Sequence, residues 1–327
     1  MTMTRREVQR GLLAAALAPG LLRAQGSYPA RPIRLVVPFA PGGGPDVVTR
    51  QLTPKLGAVL GQTVFVDNRV GAGGIVAAEF VAQQPPDGYT LLLGASTHVT
   101  QKLLQPKSNF DPVKGFVHVT RLSFAPSLLV VAGDSPHRSL ADLLAAARAA
   151  PGKLNYGSGG IGSAAHLAGA ALVTQAKVDV AHIPYRGSVD LAGALGSGDI
   201  AFAIPTASTV LPFLATGGKM RALAITGDRR DPLLPQVPTL KELTGSDDLV
   251  LVSWSGMWLP AGTPQPIVRS LFDALGKVFA DPEIARAHAN LGVTVSLSNS
   301  PTEFSQFVAD ETTKLARIVV AARIEAN

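Results

Sequence analysis

The sequence specifies an α/β protein built on mainly parallel sheets, and three observations predict it. Strand-like and helix-like segments alternate through nearly all of the 327 residues, a pattern that yields layered α/β architectures. Three strand-to-helix junctions carry glycine turns: Pro41-Gly42-Gly43-Gly44-Pro45-Asp46, Gly157-Ser158-Gly159-Gly160-Ile161-Gly162-Ser163 and Pro184-Tyr185-Arg186-Gly187-Ser188. The composition, 46% hydrophobic with 6% aromatic and 16% charged residues, suits a large aliphatic core and leaves enough chain for two domains.

The first 24 residues read as an export signal. Arg5-Arg6 gives a positive start, residues 11–22 form a short apolar core, and Leu22-Arg23-Ala24 offers a cleavage site. That core is shorter than the ~20 residues a bilayer-spanning helix needs. The paired arginines suit the twin-arginine route, whereas Val8-Gln9 suits an ordinary secretory signal; both place the mature chain in the periplasm. Residues 1–24 contain four arginines and one glutamate, so their removal lowers the net charge from +6 to +3. No basic stripe with interleaved aromatics occurs, which argues against nucleic-acid binding. The absence of cysteine excludes disulfides and thiol chemistry.

Residues 33–37 form a β-branched strand ending at Pro38, and residues 47–60 a helix with Asp46 as its cap or first-turn acid. Pro54 predicts a kink or two helical pieces. A strand at 63–66, a loop at 68–74, a helix to about residue 83, a turn at 85–88, a strand at 89–93 and a loop at 94–100 follow. A second unit starts near 124–131. It continues through a helix at 139–149, strands around Leu154 and Val178 flanking the central glycine turn, and strands at 200–204 and 221–225. Residues 227–238 read as a return connection. A strand at 249–258 and helices at 264–280, 281–291 and 301–324 complete the chain. The middle block looks like a complete α/β unit, so the ends are expected to pack together. This gives one lobe from 25–123 plus 228–327, a second from 124–227, and hinge crossings near 123–125 and 226–228.

Gly157, Gly159 and Gly162 match the G-x-G-x-x-G fingerprint of dinucleotide sites, and Asp179 lies near the offset for a ribose contact. The preceding strand is short and polar, however, and an exported protein meets little nicotinamide cofactor. Ser158, Ser163, His166 and His182 keep an exported serine-type hydrolase of small esters or amides open, although no G-x-S-x-G elbow occurs. The six histidines include no H-E-x-x-H pair, which argues against a metal site. Backbone capture of an anion fits best. Helix N-termini leave amide N–H groups unpaired at a partly positive end, and glycine lets a ligand approach the backbone. Hydroxyls at Ser96, Thr97, Ser158, Ser163 and Ser188 add neutral donors.

Several motifs occur in order: the run from Tyr28 to Gly44, YPARPIRLVVPFAPGGG; Asp67-Asn68-Arg69-Val70-Gly71-Ala72-Gly73-Gly74; Pro86-Asp87-Gly88-Tyr89-Thr90-Leu91; Tyr185-Arg186-Gly187-Ser188; Arg221-Ala222-Leu223-Ala224; and Pro260-Ala261-Gly262-Thr263-Pro264. Together they resemble the substrate-binding proteins of tripartite tricarboxylate transporters, the Bug or TctC-type family. The resemblance implies a two-lobed type II periplasmic binding fold, a monomer without cofactor or catalysis, that closes on a small mono-, di- or tricarboxylate. It implies delivery to membrane subunits of such a transporter or to a sensing pathway. It also places ligand contacts at Phe39, Ala40, Gly43 and Asp46, at Ser96 and Thr97, at Ser158, Gly159, Gly162, Ser163 and His166, and at Tyr185, Gly187 and Ser188. Two departures from the family pattern stand out. Pro45 replaces the threonine before Asp46, and Pro205-Thr206 replaces an Asp-Asn pair after the strand at 200–204. The missing acid argues against a ligand bearing an ammonium group.

Overall fold

The computed structural model describes residues 28–42, 44–185, 190–215 and 218–325. The expected signal, residues 1–24, lies outside them. Among the described residues no helix is long and apolar enough to cross a membrane.

Two sheets organise the chain. The first contains β1 (Ile33–Val37), β2 (Val64–Asn68), β3 (Thr90–Ala95), β4 (Phe116–Pro126), β10 (Val252–Pro260) and β11 (Thr294–Val295), in the order β11-β4-β10-β3-β1-β2. The second contains β5 (Leu128–Ala132), β6 (Asn155–Ser158), β7 (Ala181–Pro184), β8 (Phe202–Ala203) and β9 (Met220–Ile225), in the order β7-β6-β8-β5-β9. Both are mixed, not mainly parallel. Each has a parallel trio, β3-β1-β2 and β7-β6-β8. The remaining strands, several of them joining the lobes, pair antiparallel.

The strand period of two sets the core. Ile33, Leu35 and Val37 enter one apolar cluster with the stripe Val268, Leu271, Leu275 and Val278 of α9 (Gln265–Phe279). That stripe has the 3–4 spacing of an amphipathic helix. Val36, on the other face, joins Leu92 and Trp258 in a second cluster that continues into Leu129, Tyr156, Phe202 and Leu223 of the second sheet. A third cluster covers the far face of that sheet through Leu128, Val130, Leu191 and Val210.

The lobes connect through a hydrogen-bonded crossing. Ser127 and Thr226 exchange backbone and side-chain bonds: Thr226 N–H donates to Ser127 O, and Ser127 N–H to Thr226 Oγ1, both at 2.9 Å. The Thr226 hydroxyl donates to Leu251 O, and Leu251 N–H donates to Thr226 O at 3.1 Å. Within residues 228–250, placed with the first lobe by the sequence reading, Val237 and Thr239 lie against the second sheet. Thr239 bridges Ile225, and Val237 enters the third apolar cluster. The return therefore runs through Leu251, and Thr226 sits beside it.

Other differences are local. α1 (Gly44–Leu60) runs through Pro54 as one helix. The expected loop at 94–100 is the end of β3 followed by α3 (Ser96–Leu104), which buries His98, Val99, Gln101 and Leu104. Burial of that face outweighs the weak helix preference of a Ser-Thr-His start.

Candidate functional site

Helix starts from both lobes gather at the C-terminal ends of the parallel strands, where open α/β sheets place ligands. The first is the turn between β1 and α1. Phe39 is half-buried against the core, whereas Ala40, Pro41 and Gly42 are exposed. Asp46 is 1% exposed, and its carboxylate clasps the turn. Oδ2 accepts Gly42 N–H and Arg50 Nε–H at 2.9 Å each, and Oδ1 accepts the Asn68 amide at 2.8 Å. The same Asn68 amide donates to Phe39 O at 3.0 Å. Burial alone would raise the pKa of Asp46, but the bonds from Arg50, Asn68 and Gly42 outweigh it and hold it below the ordinary value. Asp46 is thus engaged inside the turn and shapes the backbone around it. Gly43 lies outside the described residues.

The second turn, between β6 and α5 (Ala164–Ala176), is buried and uncharged. Ser158 is fully buried, with its hydroxyl 2.7 Å from His182 Nε2 and accepting Gly160 N–H at 3.2 Å. Ser163 caps α5 by accepting His166 N–H, and His166 Nδ1 accepts Gly162 N–H at 3.1 Å. That acceptor role leaves the His166 proton on Nε2. The His166 and His182 rings stack at 3.8 Å between centroids, 6° apart, with Tyr156 against them. Burial, reinforced at His166 by the neighbouring His182, lowers both pKa values to about 4. Both imidazoles are neutral near pH 7.

The amide of Gly162, one of the expected ligand contacts, is therefore taken within the turn, as is that of Gly160. Those of Gly159 and Ile161 have no acceptor among the described residues. Tyr185 N–H donates to Ser158 O at 2.9 Å, tying the end of β7 to this turn. Gly187 and Ser188 lie outside the described residues. Two of the fingerprint glycines serve unlike purposes. A Cβ on Gly157 would sit 2.4 Å from Ile200 Cδ1, so Gly157 is a packing glycine. Gly162 has φ +76°, and its Cβ would meet Gln101 Nε2 at 2.7 Å. No dinucleotide cradle results.

The third contribution is the start of α3, which has no side-chain cap. Ser96, Thr97 and Thr100 line a gap of about 20 Å³ with Gly162, Ala164 and Leu167, closed by Leu251 and by Glu311 of α11 (Pro301–Ala321). Thr97 Oγ1 is buried without a partner. Glu311 is the one charged side chain on this lining, 3.5 Å from Lys314. Gln101 spans the lobes by donating to Ile161 O at 3.2 Å. On the opposite flank, Ser208 of α7 (Ala207–Ala215) approaches Gly44: its Oγ would lie 3.9 Å from a Cβ there.

Sequence reasoning missed Gln101, Ser208 and Glu311. Thr97, Gln101 and Leu104 share one face of α3 at i, i+4 and i+7. That spacing would have exposed Gln101 had the segment been read as a helix.

The profile of the tripartite tricarboxylate transporter family receptor, TctC, matches residues 48–324. The chain belongs to this family. It is 36% identical over 325 residues to the UPF0065 protein in the tcbD-tcbE intergenic region of Pseudomonas sp. (strain P51), covering 99% of this chain and 96% of the other. Among solved structures, R. palustris Rpa4515 with adipate superposes with a TM-score of 0.81 at 32% identity, covering 91% and 99% of the two chains. MatC (Rpa3494) from Rhodopseudomonas palustris with bound malate gives 0.78 at 30% identity, covering 89% and 100%. The fold is that of a two-lobed periplasmic solute-binding protein, and the family is one of receptors, not enzymes. No carboxylate among the described residues bonds His182, and Ser158 is inaccessible.

Proposed function

We propose that this chain is a periplasmic receptor that captures a small organic dicarboxylate between its lobes. It delivers that ligand to the membrane subunits of a tripartite tricarboxylate-type transporter or to a sensing pathway. The observation that carries the proposal is the meeting of uncharged groups from both lobes on one gap: the Thr97 hydroxyl without a partner and Ser96 from one side, Gly162 and Ala164 at the start of α5 from the other. Such donors hold an oxyanion without a fixed cation and release it readily. The relatives solved with adipate and malate support the ligand class.

Contacts are assigned in three groups. The backbone of Phe39 and Ala40 forms one rim, with Asp46 fixing its shape, and Gly43 is assigned to the same group. Ser96 and Thr97 line the floor. Gly159, Gly162 and Ser163, with Tyr185, form the other rim, with Ser158 and His166 holding its turn, and Gly187 and Ser188 are assigned to the same group. The gap has room for about one water molecule, so a dicarboxylate enters only when the lobes part about the Ser127–Thr226–Leu251 crossing. Closure then completes the donor set.

Thermal-shift screening of the full chain against succinate, malate, adipate and aspartate tests the reading. Stabilisation by one of the plain dicarboxylates, and less by aspartate, is expected. Aspartate binding far more tightly than succinate would overturn the ligand class and direct attention to Glu311, the one acid on the gap able to meet an ammonium group.

A further inference from the structure

A second cavity, of about 1090 Å³, does not lie between the lobes' donors. It is an open groove along the outer edge of the second sheet, between β9, α7 and α4 (Leu140–Ala149). β9 ends that sheet and pairs only with β5. Four consecutive residues, Met220 to Leu223, line the groove, so the strand faces it edge-on. Among the described residues their backbone groups have no partner on that side; the cover begins only at Ile225, whose N–H donates to Pro238 O. Unpaired strand edges of this kind accept a further strand.

The lining is apolar and basic at once. Leu233 and Leu243 belong to the few exposed large hydrophobic side chains, at 53% and 46%, and Leu144 and Leu211 deepen the groove. Arg138, Arg148 and Arg221 line it, and no aspartate or glutamate does. None of the three forms an ion pair among the described residues. Arg221 is fixed by donating to the carbonyls of Gly133, at 2.6 Å, and Ser135, at 3.1 Å; these orient its charge without cancelling it. An open groove of this size exceeds the usual small-molecule pocket of roughly 300–1,000 Å³.

We propose that this groove docks an extended segment of a partner protein in which apolar residues alternate with acidic ones, added as a strand to β9. Main-chain bonds to residues 220–223 supply affinity, and the leucines seat alternate side chains. The three arginines select acidic residues and set the on-rate. Asn290, from the first lobe, also lines the groove, so the docked segment touches both lobes and its affinity depends on their relative position.

The probes are fluorescein-labelled eight-residue peptides of alternating leucine with glutamate or with lysine, and dodecanoate, titrated against the full chain. Saturable binding of the glutamate peptide is expected, with binding of the lysine peptide at least tenfold weaker. Hydrogen-exchange protection should appear at residues 220–223. Arg138→Glu with Arg148→Glu, both exposed side chains, should weaken the glutamate peptide at least tenfold while carboxylate capture in the cleft is unchanged. Equal binding of the two peptides, insensitivity to the arginine changes, or saturation by dodecanoate with no peptide bound would overturn the proposal. The last outcome would mark a small-amphiphile pocket.

Discussion

The two principal turns of the cleft solve one problem with opposite chemistry. Both must hold backbone amides in a fixed array at the start of a helix. The β1–α1 turn does so with charge: a buried carboxylate, Asp46, gathers Gly42, Arg50 and Asn68 while the tip of the turn stays exposed. The β6–α5 turn uses neutral groups in a dry setting: Ser158, Ser163 and two stacked imidazoles satisfy the turn from within. A charge is tolerable in the first because an arginine and two amide donors accompany it. In the second, burial of an ion would cost several kcal/mol, so the imidazoles stay unprotonated. The first turn should therefore resist acid down to carboxylate protonation, and the second should fail earlier.

The largest effect is expected at the neutral turn. Gly162→Val puts a branched side chain at φ +76° and against Gln101 and Leu104. The left-handed conformation costs roughly 1–2 kcal/mol, and the clash displaces the Gln101 and Leu104 side chains that meet the turn. Dicarboxylate affinity measured by calorimetry should fall at least 100-fold while circular dichroism stays native. Affinity within threefold of the parent would remove the β6–α5 turn from the site.

Asp46→Asn tests the charged turn. The variant keeps the shape but loses the acceptor for Gly42 or Arg50. A loss of about 1–3 kcal/mol of stability and a roughly tenfold loss of affinity are expected. Its pH signature differs from that of the imidazoles. Because Asp46 has a lowered pKa in the folded state, its contribution is present above the ordinary carboxylate pKa and disappears as pH falls through the folded value.

His166 and His182 run the other way. Their folded pKa values near 4 lie below the unfolded 6.5, so the unfolded chain takes up protons first. Stability should be constant above about pH 7, decline as pH falls from 6.5 to 4, and level off below. A drop in Tm of roughly 5 °C over that window is expected. His182→Gln should flatten the decline. An unchanged slope in the variant would show that the stacked pair does not titrate as described.

Much of this contrast was legible in the sequence. Asp46 as the first-turn acid of its helix and Gly162 at a turn both follow from local rules that act within four residues. What was not legible depends on partners distant in the chain. Gln101 reaches Ile161, 60 residues on. Asp46 meets Asn68 22 residues away, and Ser158 meets His182 across 24. The role of Thr226 also emerges only when Ser127 and Leu251 come alongside. Glycine spacing alone could not separate Gly157, which makes room for Ile200, from Gly162, which makes room for Gln101.

The smallest effect is expected where the lobes merely touch. Gln101→Ala removes one interlobe bond of 3.2 Å, worth about 1 kcal/mol. A three- to tenfold loss of affinity should result, mostly through faster release in stopped-flow measurements. A purely slower association would instead place Gln101 on the entry path.

Capture of a charged carboxylate by uncharged donors is tested most directly by isothermal titration of the full chain with adipate and with its diamide, side by side. We expect saturable binding of adipate and at least 100-fold weaker binding of the diamide. Equal affinity for the two, or binding of the diamide alone, would contradict it.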